Sequence, residues 1–274
     1  MSSNPDAINK TKQVHLLMEP VLISVIQSLH LPLGSQGLDA GCGIGLISLM
    51  LSDAVGPTGQ ITGVDQSQEY IRYAGDVVHR KGYSEQISLE TADVLHLPFD
   101  DHSFDWAWSS DCIGYSPEID PYRAVQELAR VVRPGGSVML LAWSSEKLLP
   151  GYPYLENRLN ATRAGMAPFT REHQADHHFS RALTWMRQAG LKQRSGETFA
   201  GSIQAPLNTQ MRMAMAALFE MRWMDVESEL SPEQYNLYKS LCLPDSLEFI
   251  ADQPDYYGFF TLTLFTGIAR DVSA

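Results

Sequence analysis

Apolar residues recur along the chain with two different spacings. Between residues 7 and 30 they return every three or four positions, as in Val14, Leu17 and Val21, which is the spacing of one face of an α-helix. Pro20 lies inside this stretch and predicts that it is divided into two helices or kinked, because proline removes a backbone donor and clashes with the preceding turn. The chain is therefore expected to begin with helical structure.

From residue 37 to residue 143, short apolar runs alternate with amphipathic stretches, which predicts alternating strands and helices. The predicted strands cover residues 37–40, 60–65, 87–92, 104–109 and 137–143, and the predicted helices cover 44–52, 68–81 and 122–132, with a turn at 134–136. Such alternation predicts a parallel sheet with helices on both faces, and right-handed crossovers make it doubly wound. The expected fold class is α/β, with a doubly wound, mostly parallel sheet.

The second half of the chain has a looser pattern. It predicts a helix at 179–190, a strand at 191–204, a methionine-rich helix at 208–225, a further helix after Ser231 and a last strand at 256–269. Ser231, followed by Pro232 and Gln234, is typical of a capping box. Residues 206–253 are interpreted as a helical insertion before the last strand.

The composition narrows the expected partners and compartment. The chain has 274 residues, 44% of them hydrophobic, and a net charge of −12. Such a charge repels phosphate backbones and anionic membranes, and the apolar runs are too short to span a bilayer, so neither nucleic-acid binding nor membrane insertion is expected. The three cysteines form no CxxC pair, which argues against disulfides and structural zinc and indicates a reducing compartment. The first ten residues are polar, unlike a signal peptide, so a cytoplasmic location is expected.

A glycine-rich turn follows the first predicted strand, in the segment LDAGCGIG at residues 38–45. Gly41, Gly43 and Gly45 give the backbone freedom for a tight turn and let a ligand approach the main chain, while the helix behind it presents free amides. The same pattern also occurs in purely structural strand-to-helix turns. Its interpretation therefore depends on the residues that follow.

Acidic residues at the ends of the next two strands favour a ligand site. Asp65 ends the second strand, where a carboxylate can accept two hydrogen bonds from the ribose of a dinucleotide or of S-adenosylmethionine. The dinucleotide pattern G-x-G-x-x-G, which starts here at Gly41 and Gly43, has its third glycine where this chain has Leu46. Asp39 before the turn suits an ammonium group better than a pyrophosphate. Asp93, before Val94 at the end of the third strand, can bind the amino group of adenine or can cap a turn.

Five segments, in order and spacing, resemble the motifs of class I S-adenosylmethionine-dependent methyltransferases: LDAGCGIG, GVDQS, ADVLHLPF, DDHSFDWAWSSD and ELARVVRPGG. The chain looks most similar to the ubiquinone and menaquinone biosynthesis type, which includes many small-molecule enzymes. The resemblance covers roughly residues 10–145. It implies a Rossmann-like sheet of seven strands, whose last strand is antiparallel and lies next to the fifth.

The resemblance also implies S-adenosyl-L-methionine as the cofactor and a small-molecule methyl acceptor. The implied cofactor-binding residues are Asp39, Gly41 and Gly43 for the methionine end, with Cys42 and Gly45 of the same turn, Asp65 and Gln66 for the ribose, Asp93 and Val94 for adenine, and Ser109 for the methionine part through its backbone.

Methyl transfer needs a nucleophile aligned with the methyl group, and it needs a base only where that nucleophile carries a proton. Asp111 and Tyr115 follow the fourth strand, at the edge where such sheets bind ligands, and His15 lies on the N-terminal helix. These three are the candidate catalytic residues, although Asp111 also fits a substrate contact or a cap and His15 fits an ordinary helix residue. The acidic and histidine residues at 172–178 match no metal-ligand spacing, so no metal site is expected.

One domain is expected across residues 1–274, with a helical cap at 1–30, a cofactor-binding core at 31–145 and the insertion at 206–253 as a candidate substrate lid. The methionines of the insertion either line a pocket for an apolar or aromatic acceptor or fill the core. Two other function classes remain open, an NAD(P)-dependent oxidoreductase and a module that binds S-adenosylmethionine without methyl transfer. The sequence predicts neither the oligomeric state nor the methylated atom.

Overall fold

A computed structural model of the chain describes residues 5–115, 119–166 and 175–270, and a seven-stranded sheet runs through this part. The strands are β1 (Gln36–Ala40), β2 (Gln60–Asp65), β3 (Ile87–Thr91), β4 (Phe104–Ser110), β5 (Val132–Lys147), β6 (Lys192–Gln204) and β7 (Tyr257–Ile268). Their order is β3-β2-β1-β4-β5-β7-β6, with β1 to β5 parallel and β7 antiparallel to both of its neighbours. The predicted fold class is confirmed, including the antiparallel last strand beside the fifth.

Helices cover the sheet on both sides. Within the described ranges they are α1 (Pro5–Ser28), α2 (Leu46–Val55), α3 (Gln68–Lys81), α4 (Pro121–Val131), α5 (Pro153–Asn160), α6 (Arg163–Met166), α7 (Ala182–Gln188), α8 (Thr209–Arg222) and α9 (Pro232–Cys242). The bounds of α3 are those predicted, and Ser231 and Gln234 form the predicted capping box of α9. The sequence predicted no element where α5 and α6 lie. None of the helices described has both the length and the apolar character that crossing a bilayer requires.

The first helix continues through its proline. The sequence predicts that Pro20 divides or kinks this stretch, but α1 is one helix from Pro5 to Ser28, so the division is wrong. Leu17, Val21 and Leu22 around the proline are buried in the core. Their packing stabilises the helix on both sides of the proline despite the hydrogen bond that proline removes.

The glycine turn is longer than predicted. A helix was expected from residue 44, but α2 begins at Leu46 because Gly45 is left-handed, with a φ of 77°. Gly41 and Gly43 also have positive φ, at 81° and 54°. The whole segment from residue 41 to residue 45 is therefore a connection rather than the first turn of a helix.

The fifth strand begins earlier than predicted. The expected turn at 134–136 lies inside β5, which starts at Val132 directly after α4. The pairing with β4 is irregular there, because Val132 lies opposite Phe104 whereas Ser137 lies opposite Trp106. The segment is thus an irregularity within the strand, not a turn that precedes it.

Two hydrophobic cores flank the sheet. One packs α1, α2, α8 and α9 against Trp106 and Trp108 of β4, and the other packs α4 and α7 against the opposite face. In the chain, α8 and α9 lie between β6 and β7, and in space α8 packs on α1. Met215, Phe219 and Trp223 of the insertion are buried. Part of its methionine-rich sequence therefore belongs to the core.

Candidate functional site

The glycine turn is fixed to the neighbouring strand at the carboxyl edge of the sheet. The amides of Gly41 and Cys42 both donate to the carbonyl of Val64, at 2.8 and 2.9 Å. A Cβ atom added to Gly41 would lie 2.6 Å from the Sγ of Cys112, so only glycine fits beneath that side chain. A Cβ added to Gly43 would meet nothing within 4 Å. The main chain of the turn is therefore open to a ligand at Gly43 and closely covered at Gly41.

Asp39 lies beneath this turn. Its carboxylate is 1% exposed and accepts a hydrogen bond from the Ser48 hydroxyl of α2 at 2.6 Å. Burial raises the pKa of Asp39 to about 7, the Ser48 hydrogen bond opposes this rise, and the nearby Asp65 carboxylate adds to it. A positive charge bound above the turn would favour the ionised form of Asp39.

Asp65 holds the turn and the next helix together. Its Oδ2 accepts the Gly43 amide at 3.0 Å, and its Oδ1 accepts the Ser67 amide at 2.8 Å. Burial raises the pKa of Asp65, and these two hydrogen bonds work in the opposite direction. Each carboxylate oxygen can accept a second hydrogen bond, so Asp65 can hold the turn and still bind two ribose hydroxyls.

Five of the predicted cofactor-binding residues meet around one small cavity of about 60 Å³. They are Gly41, Asp65, Gln66, Asp93 and Val94. Ala92, Cys112 and Ile119 complete the lining and were not predicted. The sequence offered a hint only for Ala92, which neighbours Asp93.

Asp93 also has the structural role that the sequence left open. Its Oδ1 accepts the Leu95 amide at 2.9 Å, so it caps the turn after β3. Its Oδ2 lies 3.4 Å from the Nδ1 of His96. Because the side chain is exposed and lines the cavity, both roles are compatible.

The other predicted cofactor residues lie around the cavity without lining it. The Cys42 side chain packs near Gly63, where an added Cβ would lie 3.1 Å from the sulfur. Burial raises the pKa of the Cys42 thiol, which makes it an unreactive packing group. Gly45 approaches Ala74 of α3 in the same way, at 3.0 Å for an added Cβ. Ser109 is buried at the end of β4, with its hydroxyl beside the Cys112 thiol.

The chemical groups of these residues suit S-adenosylmethionine. Asp65 supplies acceptors for the ribose, Asp93 supplies one for the amino group of adenine, and Gly43 leaves the backbone open. The cavity is smaller than the roughly 300–1,000 Å³ of typical small-molecule pockets. Cys112 and Ile119, which follow β4, form part of its wall.

Asp111 and Tyr115 both bind the backbone of Trp143, at the carboxyl end of β5. Asp111 has a φ of 45°, and its Oδ1 accepts the Trp143 amide at 2.7 Å. The Tyr115 hydroxyl donates to the Trp143 carbonyl, and its ring stacks on Phe179 with centroids 5.5 Å apart. The structure thus brings these two candidates together at the edge of the sheet.

The two candidates differ in how they can handle a proton. Solvent reaches Asp111, yet the surrounding protein raises its pKa to about 6, with the Trp143 amide and the Arg222 charge opposing the rise. Burial raises the pKa of Tyr115 far above its ordinary value. Asp111 is therefore ionised at neutral pH and can accept a proton, whereas the Tyr115 phenolate is strongly disfavoured.

His15 lies apart from this pair. It is half-buried on α1, does not line the cofactor cavity, and burial lowers its pKa. Of the residues at 172–178, those up to 174 lie outside the described part of the chain. Among the residues described, no group of three or more His, Cys, Asp or Glu side chains is placed to hold a metal ion.

Comparisons with known proteins agree with this geometry. Residues 38–136 match the sequence model of a family described as a methyltransferase domain. The chain is 35% identical to demethylmenaquinone methyltransferase of Desulfitobacterium hafniense over 127 residues, which is 46% of this chain and 49% of that protein. It is 33% identical to methyltransferase GfsG of Streptomyces halstedii over 114 residues, or 42% and 40% of the two chains. The match therefore spans about half of each relative or less.

Solved structures extend the likeness in fold. The YcgJ protein of Bacillus subtilis aligns with a TM-score of 0.56 and 19% identity, over 92% of this chain and 99% of that one. A geranyl diphosphate methyltransferase in complex with S-adenosylmethionine aligns with a TM-score of 0.53 and 14% identity, over 98% and 92%. Residues 38–136 are therefore similar to a methyltransferase domain, and the sheet that contains them has a Rossmann-like topology.

Proposed function

We propose that this chain is an enzyme that transfers a methyl group from S-adenosylmethionine to a small molecule. The observation that carries the proposal is the cavity at the carboxyl edge of β1, β2 and β3, where Gly41, Asp65 and Asp93 meet. Parallel sheets of this topology bind ligands at that edge. Leu46 stands where the dinucleotide pattern has its third glycine, and Asp39 before the turn is acidic; both observations count against a dinucleotide.

In this proposal the predicted residues keep their assigned parts of the cofactor. Asp65 and Gln66 bind the ribose, and Asp93 and Val94 bind adenine. The open backbone at Gly43 lies beside the methionine end, and the buried charge of Asp39 attracts its ammonium group from below.

S-adenosylmethionine, when bound, supplies a methyl group that its positive sulfur has already activated. The protein then has to align the acceptor and exclude water, and alignment of this kind contributes about 7–11 kcal/mol in favourable cases. Asp111 is the best placed of the three catalytic candidates to receive a proton from the acceptor. Tyr115 positions the edge of β5 through its hydrogen bond to Trp143. His15 remains a candidate on α1.

In this proposal, the N-terminal helix and residues 206–253 form an apolar roof above this edge. Lys10 of α1 forms an ion pair with Glu220 of α8 at 2.5 Å, which links the two elements. Met221 and Met224, at the end of α8 and just beyond it, are 45% and 49% exposed. Exposed methionines beside a binding edge suit an apolar or aromatic acceptor.

Calorimetry of the whole chain tests the proposed function. We expect S-adenosylmethionine and S-adenosylhomocysteine to bind with micromolar or tighter dissociation constants and NADH to give no binding heat. Binding of NADH alone would instead favour an oxidoreductase. The cofactor could also bind without methyl transfer to any of a broad panel of small phenols, amines and thiols. That result would favour a protein that binds S-adenosylmethionine and transfers no methyl group.

A further inference from the structure

A polar cluster joins the insertion to the carboxyl end of β5, outside the cofactor cavity. Its centre is Glu146, which is 5% exposed. The Oε2 of Glu146 accepts the indole N–H of Trp143 at 2.5 Å, and its Oε1 accepts the Nη2 of Arg222 at 2.7 Å. Arg222 is the last residue of α8, so the ion pair fixes the end of that helix above the sheet edge.

Arg222 has a buried donor that the described part of the chain does not satisfy. Its Nε–H has no hydrogen-bond partner there, and its Nη2 lies 3.5 Å from the Gly165 carbonyl, at the limit for a hydrogen bond. A carboxylate can pair with Nε and Nη2 of a guanidinium together, but the second oxygen of Glu146 is used by Trp143. Buried donors without partners are rare in folded proteins.

The surrounding charges decide which oxygen suits this donor. Glu146 already neutralises Arg222, and Asp111 belongs to the same cluster through Trp143, whose amide donates to Asp111 and whose indole donates to Glu146. A ligand carboxylate or phosphate would place a third negative charge beside two carboxylates. A neutral carbonyl oxygen accepts the Nε–H without that repulsion.

We propose that Arg222 binds a neutral carbonyl oxygen of the methyl acceptor, while the Asp111 carboxylate binds a hydroxyl group next to that carbonyl. Solvent reaches 24% of the Arg222 side chain but not its Nε atom, so the carbonyl of the acceptor would enter beside the exposed part of the guanidinium. The proposal rests on the proposed function and narrows its acceptor to hydroxy-carbonyl compounds. It makes Arg222 a specificity residue with no part in cofactor binding.

Three matched probes test this proposal on the chain saturated with S-adenosylhomocysteine. 2-Hydroxyacetophenone has both groups, 2-ethylphenol lacks the carbonyl, and salicylate replaces it with an anion. We expect 2-hydroxyacetophenone to bind about tenfold more tightly than either of the others. Arg222→Lys keeps a cation for Glu146 but has no Nε–H, so it should lose this preference while its melting temperature stays close to that of the unmodified chain.

Arg212→Met is the matched control. Arg212 lies on the same helix about 15 Å from Arg222 and pairs with Asp252 at 2.7 Å, so its loss should leave the preference intact. Equal affinity for 2-hydroxyacetophenone and 2-ethylphenol, tighter binding of salicylate, or no binding of 2-hydroxyacetophenone at its solubility limit would each overturn the proposal. Binding of S-adenosylhomocysteine is measured first, and its absence would refute the proposed function itself.

Discussion

Replacement of Asp39 by asparagine will change how the free energy of unfolding depends on pH. Asp39 is buried, with a pKa of about 7, whereas its ordinary value is 3.8. The native state therefore keeps a proton up to about pH 7 that the unfolded chain releases near pH 4. The contribution of protonated Asp39 to the free energy of unfolding is fully present below pH 4 and is lost as the pH rises through 7.

The size of this effect follows from the pKa difference. About three pKa units correspond to roughly 4 kcal/mol, which is an upper bound because the buried site relaxes when it ionises. The unmodified chain should thus lose about 2–4 kcal/mol of stability from this one group between pH 4 and pH 8. Asparagine carries no charge, and its side-chain oxygen can still accept the Ser48 hydroxyl, so the variant should lack this loss.

Urea unfolding at several pH values between 4 and 8 measures the difference between the two proteins. Groups common to both, such as Asp111, cancel in the comparison. Asp76→Asn is the matched control, because it makes the same change of carboxylate to amide at an exposed position on α3, outside the buried site. Saturation with S-adenosylhomocysteine should reduce the loss in the unmodified chain, since its ammonium group favours ionised Asp39. Parallel pH curves for the chain and Asp39→Asn would refute this account of the buried carboxylate.

Four further substitutions test other parts of the structure. Asp65→Ala should raise the dissociation constant for S-adenosylmethionine roughly tenfold to several hundredfold in calorimetry. The reason is the loss of two charge-assisted hydrogen bonds of about 1.5–3 kcal/mol each, which water replaces in part. An unchanged dissociation constant in a folded variant would contradict the assignment of Asp65 to the ribose. Gly41→Val should abolish cofactor binding in the same assay, since its side chain meets Cys112 and its φ of 81° suits only glycine; normal binding would show that the turn can rearrange. Met215→Ala should lower the free energy of unfolding by about 2–5 kcal/mol in urea titrations. Met221→Ala should leave the free energy of unfolding nearly unchanged and raise the KM for the acceptor. A large loss of stability with an unchanged KM would show that Met221 belongs to the core and does not line the roof.

Local sequence patterns predicted the sheet, and they predicted which acidic residues meet at its carboxyl edge. Asp65 and Asp93 come directly after apolar runs, and parallel strands bring their carboxyl ends to one edge, so neighbours in the sheet become neighbours in the cavity. The glycine turn was recognised, but its length was not, because the left-handed Gly45 depends on close packing against Ala74.

The acceptor side could not be predicted in the same way. Arg222 and Glu146 are 76 positions apart, and only the packing of α8 over the sheet brings them together. Cys112 likewise covers Gly41 because of the path of the chain after β4, which has no periodic pattern. Pro20 is the opposite case. The local sequence predicts a break in the helix there, but tertiary packing keeps α1 continuous from Pro5 to Ser28.

The short segment after β4 has a consequence for the order in which ligands bind. Cys112 covers the glycine turn, and its neighbour Asp111 holds the Trp143 amide at the edge where the acceptor is expected. If Cys112 shifts outward when the cofactor enters, the shift acts directly on Asp111, the residue proposed to face the acceptor. An acceptor that arrived first would meet Asp111 before the segment had taken its cofactor-bound position. Steady-state kinetics should accordingly be sequential and ordered, with the methyl donor entering first and its demethylated product leaving last.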